Sequence, residues 1–198
     1  MRIGLFGGTF DPPHVGHLIL AEECRTQLNL DLLLWAVTDN PPHKRYANVS
    51  PVEERVKLVE KAICGNPAFL LSRIDIDRPG PHYAIDTMNL LRKEYPDSKL
   101  FYLMGGDSLH DLPSWVRPQD FLRICDGIGV MRRHEDKVDL ESLEKVLPGI
   151  SNKVSIVDAP ILEISSKQIR QRIADNEGYR YYLRDAVYKA ILDNQLYK

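Results

Sequence analysis

The residues best suited to chemistry lie near the start of the chain, within the segment 7–17. His14 and His17 are three residues apart, and Gly7 and Gly8 precede them in the same segment. An apolar run before the segment predicts a buried strand, and an amphipathic pattern after it predicts a helix. Glycine lets a backbone approach a ligand closely, and a helix N-terminus presents unpaired N–H groups to an anion. The pattern therefore predicts a polyphosphate site, with both histidines as additional donors.

Two other interpretations of this segment stay open on the residues alone. Paired glycines after a strand often form only a tight turn. Two histidines three residues apart suit zinc, although the segment has no cysteine or carboxylate at a helpful spacing. The segment also lacks the P-loop pattern and the three-glycine dinucleotide pattern, so a phosphate cradle here would use histidines in place of the P-loop lysine.

A second candidate phosphate site begins at Ser165 and Ser166, just before a helical pattern of isoleucines. Most serines in such positions only cap the helix, and a single arginine on a helix usually lies in solvent. In the functional interpretation, the N-terminus of this helix faces a triphosphate and Arg170, one turn further on, clamps it as a cation.

Three other positions also have both a structural and a functional interpretation. Asp107 follows two glycines at the end of a predicted strand, where a carboxylate either caps a helix or holds the hydroxyls of a nucleotide sugar. Trp115 lies in a predicted loop, where a large aromatic ring more often anchors packing than stacks on a ligand. Lys44 lies in a loop after the second predicted strand, where a lysine is usually solvated.

Short apolar runs that alternate with amphipathic helices predict a parallel sheet. Strands are expected at 3–6, 32–37, 69–76, 100–104, 128–131 and 154–157. Ser50 is expected to cap the second helix, with Pro51 as its first residue and Glu53 completing a capping box. The predicted fold is α/β, a Rossmann-like doubly wound parallel sheet. It would form a single domain over residues 1–198, with a C-terminal helical part at 165–198.

Ligands of an open parallel sheet bind beyond the carboxyl ends of its strands. Gly7, Asn40 and Gly105 each lie just past a predicted strand, so right-handed crossovers would bring their loops to one edge. This placement supports a ligand site at that edge without naming a reaction.

Composition narrows the classes of partner. The chain has 198 residues with a net charge of −2, whereas nucleic-acid binders are usually strongly basic. Its three cysteines are widely spaced in helical patterns and indicate reduced, mostly packed thiols. No apolar stretch approaches membrane-spanning length, and the first residues lead straight into a strand without a signal peptide. We therefore expect a cytoplasmic protein with no nucleic-acid or membrane partner.

The segment from Gly7 to His17 resembles the (H/T)xGH signature of the nucleotidyltransferase superfamily, and the whole chain is similar to the bacterial nicotinate-nucleotide adenylyltransferases. The resemblance continues in the family's order through 40–44, 83–87, 105–108, Trp115, 132–133, 164–170 and 182–197. It implies adenylyl transfer from ATP to nicotinate mononucleotide, which yields deamido-NAD and pyrophosphate in NAD biosynthesis. Mg²⁺ would be carried on the ATP phosphates, and no residue is expected to bind a metal directly.

The resemblance also implies a role for individual residues, with His14, His17 and Arg170 as the catalytic ones. ATP would be bound by Gly7, Gly8, Thr9, Phe10, His14, His17, Gly105, Asp107, Arg132, Ser166 and Arg170. The mononucleotide would be bound by Asn40, Lys44, Tyr83, Ala84, Thr87 and Trp115. Lys167 departs from the family, which more often has threonine or another small residue there.

Other functions remain open at this point. One alternative is transfer to a different acceptor, such as nicotinamide mononucleotide or phosphopantetheine, or a cytidylyl transfer. Another is a non-catalytic nucleotide sensor. The chain length, the Pro-Pro-His-Lys loop and the Trp115 block favour the nicotinate enzyme, and intact His14, His17 and Arg170 argue against a sensor.

Overall fold

The computed structural model describes residues 1–38, 49–131, 138–160 and 162–198. Within these residues one six-stranded sheet forms, in the order β3-β2-β1-β4-β5-β6, with every neighbouring pair parallel. Its strands are β1 (Arg2–Gly8), β2 (Leu32–Val37), β3 (Phe69–Ser72), β4 (Lys99–Gly105), β5 (Gly127–Met131) and β6 (Val154–Val157). The order reverses between β1 and β4, so the topological switch point lies at the carboxyl ends of these two central strands.

Eight α-helices connect and flank the strands in the described part of the chain. They are α1 (Val15–Gln27), α2 (Val52–Ile63), α3 (Ala84–Glu94), α4 (Gly106–Asp111), α5 (Pro118–Ile124), α6 (Leu140–Val146), α7 (Ser166–Ala174) and α8 (Asp185–Asp193). None of these helices has the length and apolar character needed to cross a membrane.

Both faces of the sheet are covered, which confirms the predicted doubly wound α/β fold. Successive residues of β2 point to opposite faces, as the period of a strand requires. Leu34 belongs to the cluster formed with α3, α5 and α6, whereas Trp35 belongs to the cluster formed with α1 and α2. All six residues of β2 are buried, as expected of a central parallel strand.

The C-terminal helices α7 and α8 do not cover the sheet directly. They form a third apolar cluster with α2, in which Leu58 and Ala62 of α2 meet Ile169 of α7 and Val187 of α8. Helix α2 is therefore packed on two sides, against the sheet and against the C-terminal helices. As a result, the start of α7 lies near the carboxyl edge of the sheet.

Two local predictions were wrong. The third strand ends at Ser72 rather than at 76, because the backbone turns and the N–H groups of Ile76 and Asp77 donate to the carbonyl of Arg73. Ser50 does not cap α2 and Pro51 is not its first helical residue. Pro51 is itself the N-cap, so the helix begins at Val52.

The side chains expected in the capping box have other partners. The N–H of Ser50 donates to the carboxylate of Asp11, and Glu53 pairs with Arg73. The cysteines follow the prediction in two of three positions, since Cys24 and Cys125 are buried and Cys64 is exposed.

Candidate active site

The ends of β1 and β4 form an open edge of backbone at the switch point. A methyl group added at Gly7 would meet only the hydroxyl of Tyr102, at 3.9 Å, and one added at Gly105 would meet nothing within 4 Å. Packing inside the described protein therefore does not require glycine at either position. Both positions leave the backbone accessible to a ligand.

Gly8 has a different role from Gly7. A Cβ atom at Gly8 would lie 2.6 Å from the ring of Phe10, so glycine is required there by packing. Phe10 has a φ of +48° and is only 2% exposed. Its ring lies edge-on to Phe6 and His17, with centroids 5.4 and 5.1 Å away. Because the ring is in the core, only the backbone of Phe10 is available to a ligand.

The two histidines lie at the N-terminus of α1. His14 is the N-cap, and its backbone N–H donates to Nδ1 of His17 at 3.2 Å. The two rings lie one over the other, with centroids 3.7 Å apart and planes inclined by 31°. Since Nδ1 of His17 accepts this hydrogen bond, the proton of the neutral imidazole is on Nε2, which makes Nε2 a donor.

His14 is neutral at physiological pH because it is buried. It is 6% exposed, and burial lowers its pKa from 6.5 to about 4. Its Nδ1 is buried without a hydrogen-bond partner among the described residues. A Cβ atom at Gly16 would lie 3.0 Å from Nδ1, so the glycine of this motif makes room for the ring of His14.

Helix α7 is attached to the same loop by its first two turns. Ser165 caps the helix by accepting the N–H of Gln168. Ser166 donates from Oγ to the carbonyl of Pro12 at 2.8 Å, and Arg170 donates from Nη1 to the carbonyl of Asp11 at 2.6 Å. The N-termini of α1 and α7 therefore converge on the loop 9–14, where their partial positive charges favour an anion.

Two buried charged residues that the sequence analysis missed organise this loop. Asp11 is 2% exposed and Arg55 is 1% exposed. Arg55 donates to the carbonyls of Thr9 and Thr38 at 2.8 Å each, and to that of Ser50 at 2.9 Å. It thereby joins the end of β1, the end of β2 and the entry to α2.

A sequence signal for Arg55 existed, whereas one for Asp11 did not. Arg55 is three residues after Val52 and four before Val59, which places it on the apolar face of α2. A charged residue on such a face must have buried hydrogen-bond partners, or else the predicted face is wrong. Asp11 lies in an irregular turn, where no periodicity predicts burial.

Three of the residues expected at the mononucleotide, Tyr83, Ala84 and Thr87, lie at the N-terminus of α3. Ala84 is the first residue of this helix, and the exposed Tyr83 is its N-cap. Thr87 is buried, and its hydroxyl donates to Asp75 at 2.6 Å and accepts from Arg78 at 3.1 Å. The hydroxyl of Thr87 is therefore engaged within the protein.

Trp115 is half-buried and packs against aromatic neighbours. Its ring lies edge-on to Tyr102 at 6.0 Å and to Phe121 at 5.4 Å, measured between centroids. Tyr102 in turn reaches towards Gly7 with its hydroxyl. Trp115 is therefore an anchor of this aromatic packing, and Tyr102 lies between it and the end of β1.

Asp107 does not cap α4, because Gly105 is the N-cap; it is an exposed residue of the first turn. Three predicted ligand-binding residues, Asn40, Lys44 and Arg132, lie outside the described residues. Among the described residues, no three His, Cys, Asp or Glu side chains are grouped closely enough to hold a metal ion.

Comparison with protein families gives a match over most of the chain. The cytidylyltransferase-like family matches residues 5–172, a range that includes both histidines and Arg170. This match places the protein in a class of nucleotidyltransferases that carry an α/β domain of this kind.

Relatives define the family more narrowly. A nicotinate-nucleotide adenylyltransferase of Bacillus subtilis is 36% identical, with 100% of this chain and 98% of the relative covered. A protein of Thermomicrobium roseum named probable nicotinate-nucleotide adenylyltransferase is 40% identical, with coverages of 100% and 92%. The chain belongs to the nicotinate-nucleotide adenylyltransferase family.

A solved structure supports the fold independently. It is the Plasmodium falciparum nicotinic acid mononucleotide adenylyltransferase complexed with NaAD, which matches with a TM-score of 0.80. The match covers 99% of this chain and 97% of the other, at 17% identity. At this identity the likeness concerns the fold alone.

Proposed function

We propose that this protein transfers the adenylyl group of ATP to nicotinate mononucleotide, forming deamido-NAD and releasing pyrophosphate. The observation that carries the proposal is the convergence of the N-termini of α1 and α7 on one loop, with His14, His17 and Arg170 around it. The names of the full-length relatives support the same reaction.

The reaction needs no nucleophile from the protein. An oxygen of the mononucleotide's 5′-phosphate attacks the α-phosphorus of ATP in line, and the bond between that phosphorus and the pyrophosphate oxygen breaks. The attacking group is already anionic, so neither serine nor cysteine has to be activated. Catalysis rests on positioning the two phosphates and on donors aimed at the charge of the transition state.

His17 and His14 supply neutral donors for this charge. With its proton on Nε2, His17 donates to an oxygen of the α-phosphate. His14 lies beside His17 and faces the adjoining phosphates. Neutral rings can stack at 3.7 Å without the repulsion that two imidazolium ions would have. A preorganised donor of this kind typically contributes about 10²–10³ in rate.

Arg170 and the N-terminus of α7 hold the leaving pyrophosphate. Arg170 is partly exposed and bonded to the loop through Nη1, so its other guanidinium donors can face a ligand. ATP enters as its magnesium complex, because Mg²⁺ prefers phosphate oxygens and water over an all-protein cage. The backbone at Gly7 and Gly105, together with the exposed Asp107, borders the nucleotide.

The nicotinate ring lies on the other side of Tyr102, between the start of α3 and Trp115. The backbone N–H groups at the N-terminus of α3, near Tyr83, Ala84 and Thr87, bind the carboxylate of the substrate with the help of the helix dipole. Asn40 and Lys44 contact the phosphate and ribose of the mononucleotide, and Arg132 contacts ATP, as the family resemblance implies.

Pyrophosphate release with nicotinate mononucleotide and either ATP or CTP tests the reaction class. We expect turnover with ATP, formation of deamido-NAD in equal amount, and at most slow turnover with CTP. Omission of the mononucleotide is the control. Binding of ATP without turnover on nicotinate or nicotinamide mononucleotide would favour a nucleotide sensor and contradict the proposal.

A further inference from the structure

Asp11 is the one carboxylate of the described residues 9–17, and it is almost completely buried. A buried carboxylate is tolerated when its oxygens are hydrogen-bonded or paired with a cation. Oδ2 accepts the backbone N–H of Ser50 at 3.1 Å and lies 3.9 Å from Nη1 of Arg170. Oδ1 accepts the hydroxyl of Tyr197 at 2.7 Å.

These partners come from parts of the chain that are far apart in sequence. Arg170 is 159 residues from Asp11, and Tyr197 is 186 residues away, next to the C-terminal Lys198. Arg170 also donates to the carbonyl of Asp11. Its guanidinium therefore interacts with both the backbone and the carboxylate of Asp11. The loop, α7 and the segment after α8 therefore meet at Asp11.

Tyr197 is held in place as a hydrogen-bond donor. Its ring packs against the third apolar cluster, formed by α2, α7 and α8. Burial, and then the charge of Asp11, raise the pKa of its hydroxyl, so the hydroxyl keeps its proton across the physiological range. The C-terminal tail after α8, residues 194–198, thus places a donor against the loop that precedes both histidines.

We propose that Asp11 is a positioning residue that couples the phosphate-binding loop to the docked C-terminal tail, through Arg170 and Tyr197. When Tyr197 donates to Oδ1, the carboxylate keeps its second oxygen directed at Ser50 and near Arg170. Arg170 and the backbone leading to His14 are then fixed relative to each other. This inference rests on the proposed function, in which the loop and Arg170 bind ATP.

Tyr197→Phe tests the coupling because it removes the hydroxyl and keeps the ring in the apolar cluster. Tyr188→Phe is the matched control, since the ring of Tyr188 packs in the same helical region, 5.2 Å from that of Tyr179 and under Arg180.

Affinity for α,β-methylene-ATP, kcat, and KM for each substrate are measured well below the melting temperature of every variant. We expect Tyr197→Phe to weaken binding of the analogue and raise KM for ATP by about tenfold, as for one hydrogen bond to a charged group. KM for the mononucleotide should change less than twofold.

A purely structural role for Tyr197 would lower the melting temperature and leave the ATP parameters within twofold of those of Tyr188→Phe. That result would overturn the proposal. Binding of the ATP analogue is measured without turnover, so failure of the wild-type protein to form deamido-NAD would contradict the proposed function and leave this comparison interpretable.

Hydrogen exchange of the wild-type protein gives a second test that needs no variant. Coupling between two sites is reciprocal, so a ligand that binds the loop must stabilise the docked tail. We expect α,β-methylene-ATP to slow amide exchange in residues 194–198 severalfold. Unchanged exchange there, at a concentration that saturates the protein, would overturn the proposal.

Discussion

His17 is presented to a ligand in a defined tautomer because its Nδ1 accepts the backbone N–H of His14. This hydrogen bond depends on His14 being the N-cap of α1, so the geometry of the helix start and the chemistry of the ring are linked. Gly16 completes the arrangement by leaving space for the ring of His14. The three residues of this motif thus have three separate physical roles.

His17→Ala should lower kcat about 10²–10³-fold without unfolding the protein, because it removes one preorganised donor to the transition state. Cys24→Ala on the buried face of α1 is the control. It should cost about 1 kcal/mol of stability and leave kcat nearly unchanged. A near-native kcat for His17→Ala would contradict the assignment of this loop as the phosphate cradle.

His14 should make the free energy of unfolding depend on pH. Its pKa is about 4 in the folded protein and 6.5 when exposed, so between these values the unfolded chain binds more protons and is favoured as the pH falls. The wild-type protein should therefore lose about 2 kcal/mol more than His14→Gln between pH 7.5 and pH 5. Urea unfolding at the two pH values measures the difference. Equal losses in the two proteins would contradict the buried, neutral state of His14.

Lys167 is exposed in the first turn of α7, where a cation opposes the helix dipole unless an anion is near. Lys167→Thr should stabilise the free protein slightly and weaken ATP binding by less than tenfold. KM for ATP should also depend less on salt. Lys61→Thr, in the last turn of α2, is the control for ATP binding, since it should leave both ATP affinity and the salt dependence of KM for ATP unchanged.

Unchanged ATP affinity of Lys167→Thr at low salt would show that this lysine points to solvent. Complete loss of activity would show that it takes part in the chemistry, which we do not assign to it.

At the scale of secondary structure, α2 joins the sheet to the C-terminal helices and carries the buried Arg55. Arg55→Met should reduce the free energy of unfolding by about 3 kcal/mol or more, because three backbone carbonyls lose a buried donor. Lys57→Met is the control, since its ion pair with Glu54 is exposed and contributes within about 0.5 kcal/mol. Urea unfolding measures both, and equal losses would contradict the role given to Arg55.

The elements that the sequence predicted well are those with a strong hydrophobic pattern. Strand β2 was predicted at its observed bounds, since six consecutive apolar residues suit a strand buried on both faces. The start of α2 was predicted wrongly because the Ser50 motif fits a capping box locally, while tertiary contacts give Ser50 and Glu53 other partners. Such contacts with Asp11 and Arg73 join residues distant in sequence and leave no local pattern.

For the candidate site, the sequence located the loop and the two helix N-termini, and the structure brings these together. It did not locate Asp11 or Arg55, whose functions depend on what surrounds them after folding. The roles given to individual residues, including those outside the described residues, stay predictions.

At the scale of the whole molecule, the sheet order places the loop 9–14 at the centre of the carboxyl edge. Strands β1 and β4 are neighbours, so the loops that follow them open onto one region. The C-terminal helices reach the same region by packing on the far side of α2. The single domain over residues 1–198 and the cytoplasmic location stay predictions.

We propose that acceptor specificity depends on this layout, because the N-terminus of α3 offers backbone donors and a positive dipole end to a carboxylate. The acid substrate is expected to form charge-assisted hydrogen bonds there, whereas the amide is not. Each 1.4 kcal/mol lost corresponds to about tenfold in affinity.

The most direct test of the account is kcat/KM for adenylyl transfer, measured side by side on nicotinate mononucleotide and nicotinamide mononucleotide with saturating magnesium-ATP. We expect the acid to be preferred by about tenfold or more. Equal values of kcat/KM for the two mononucleotides, or a preference for the amide, would contradict it.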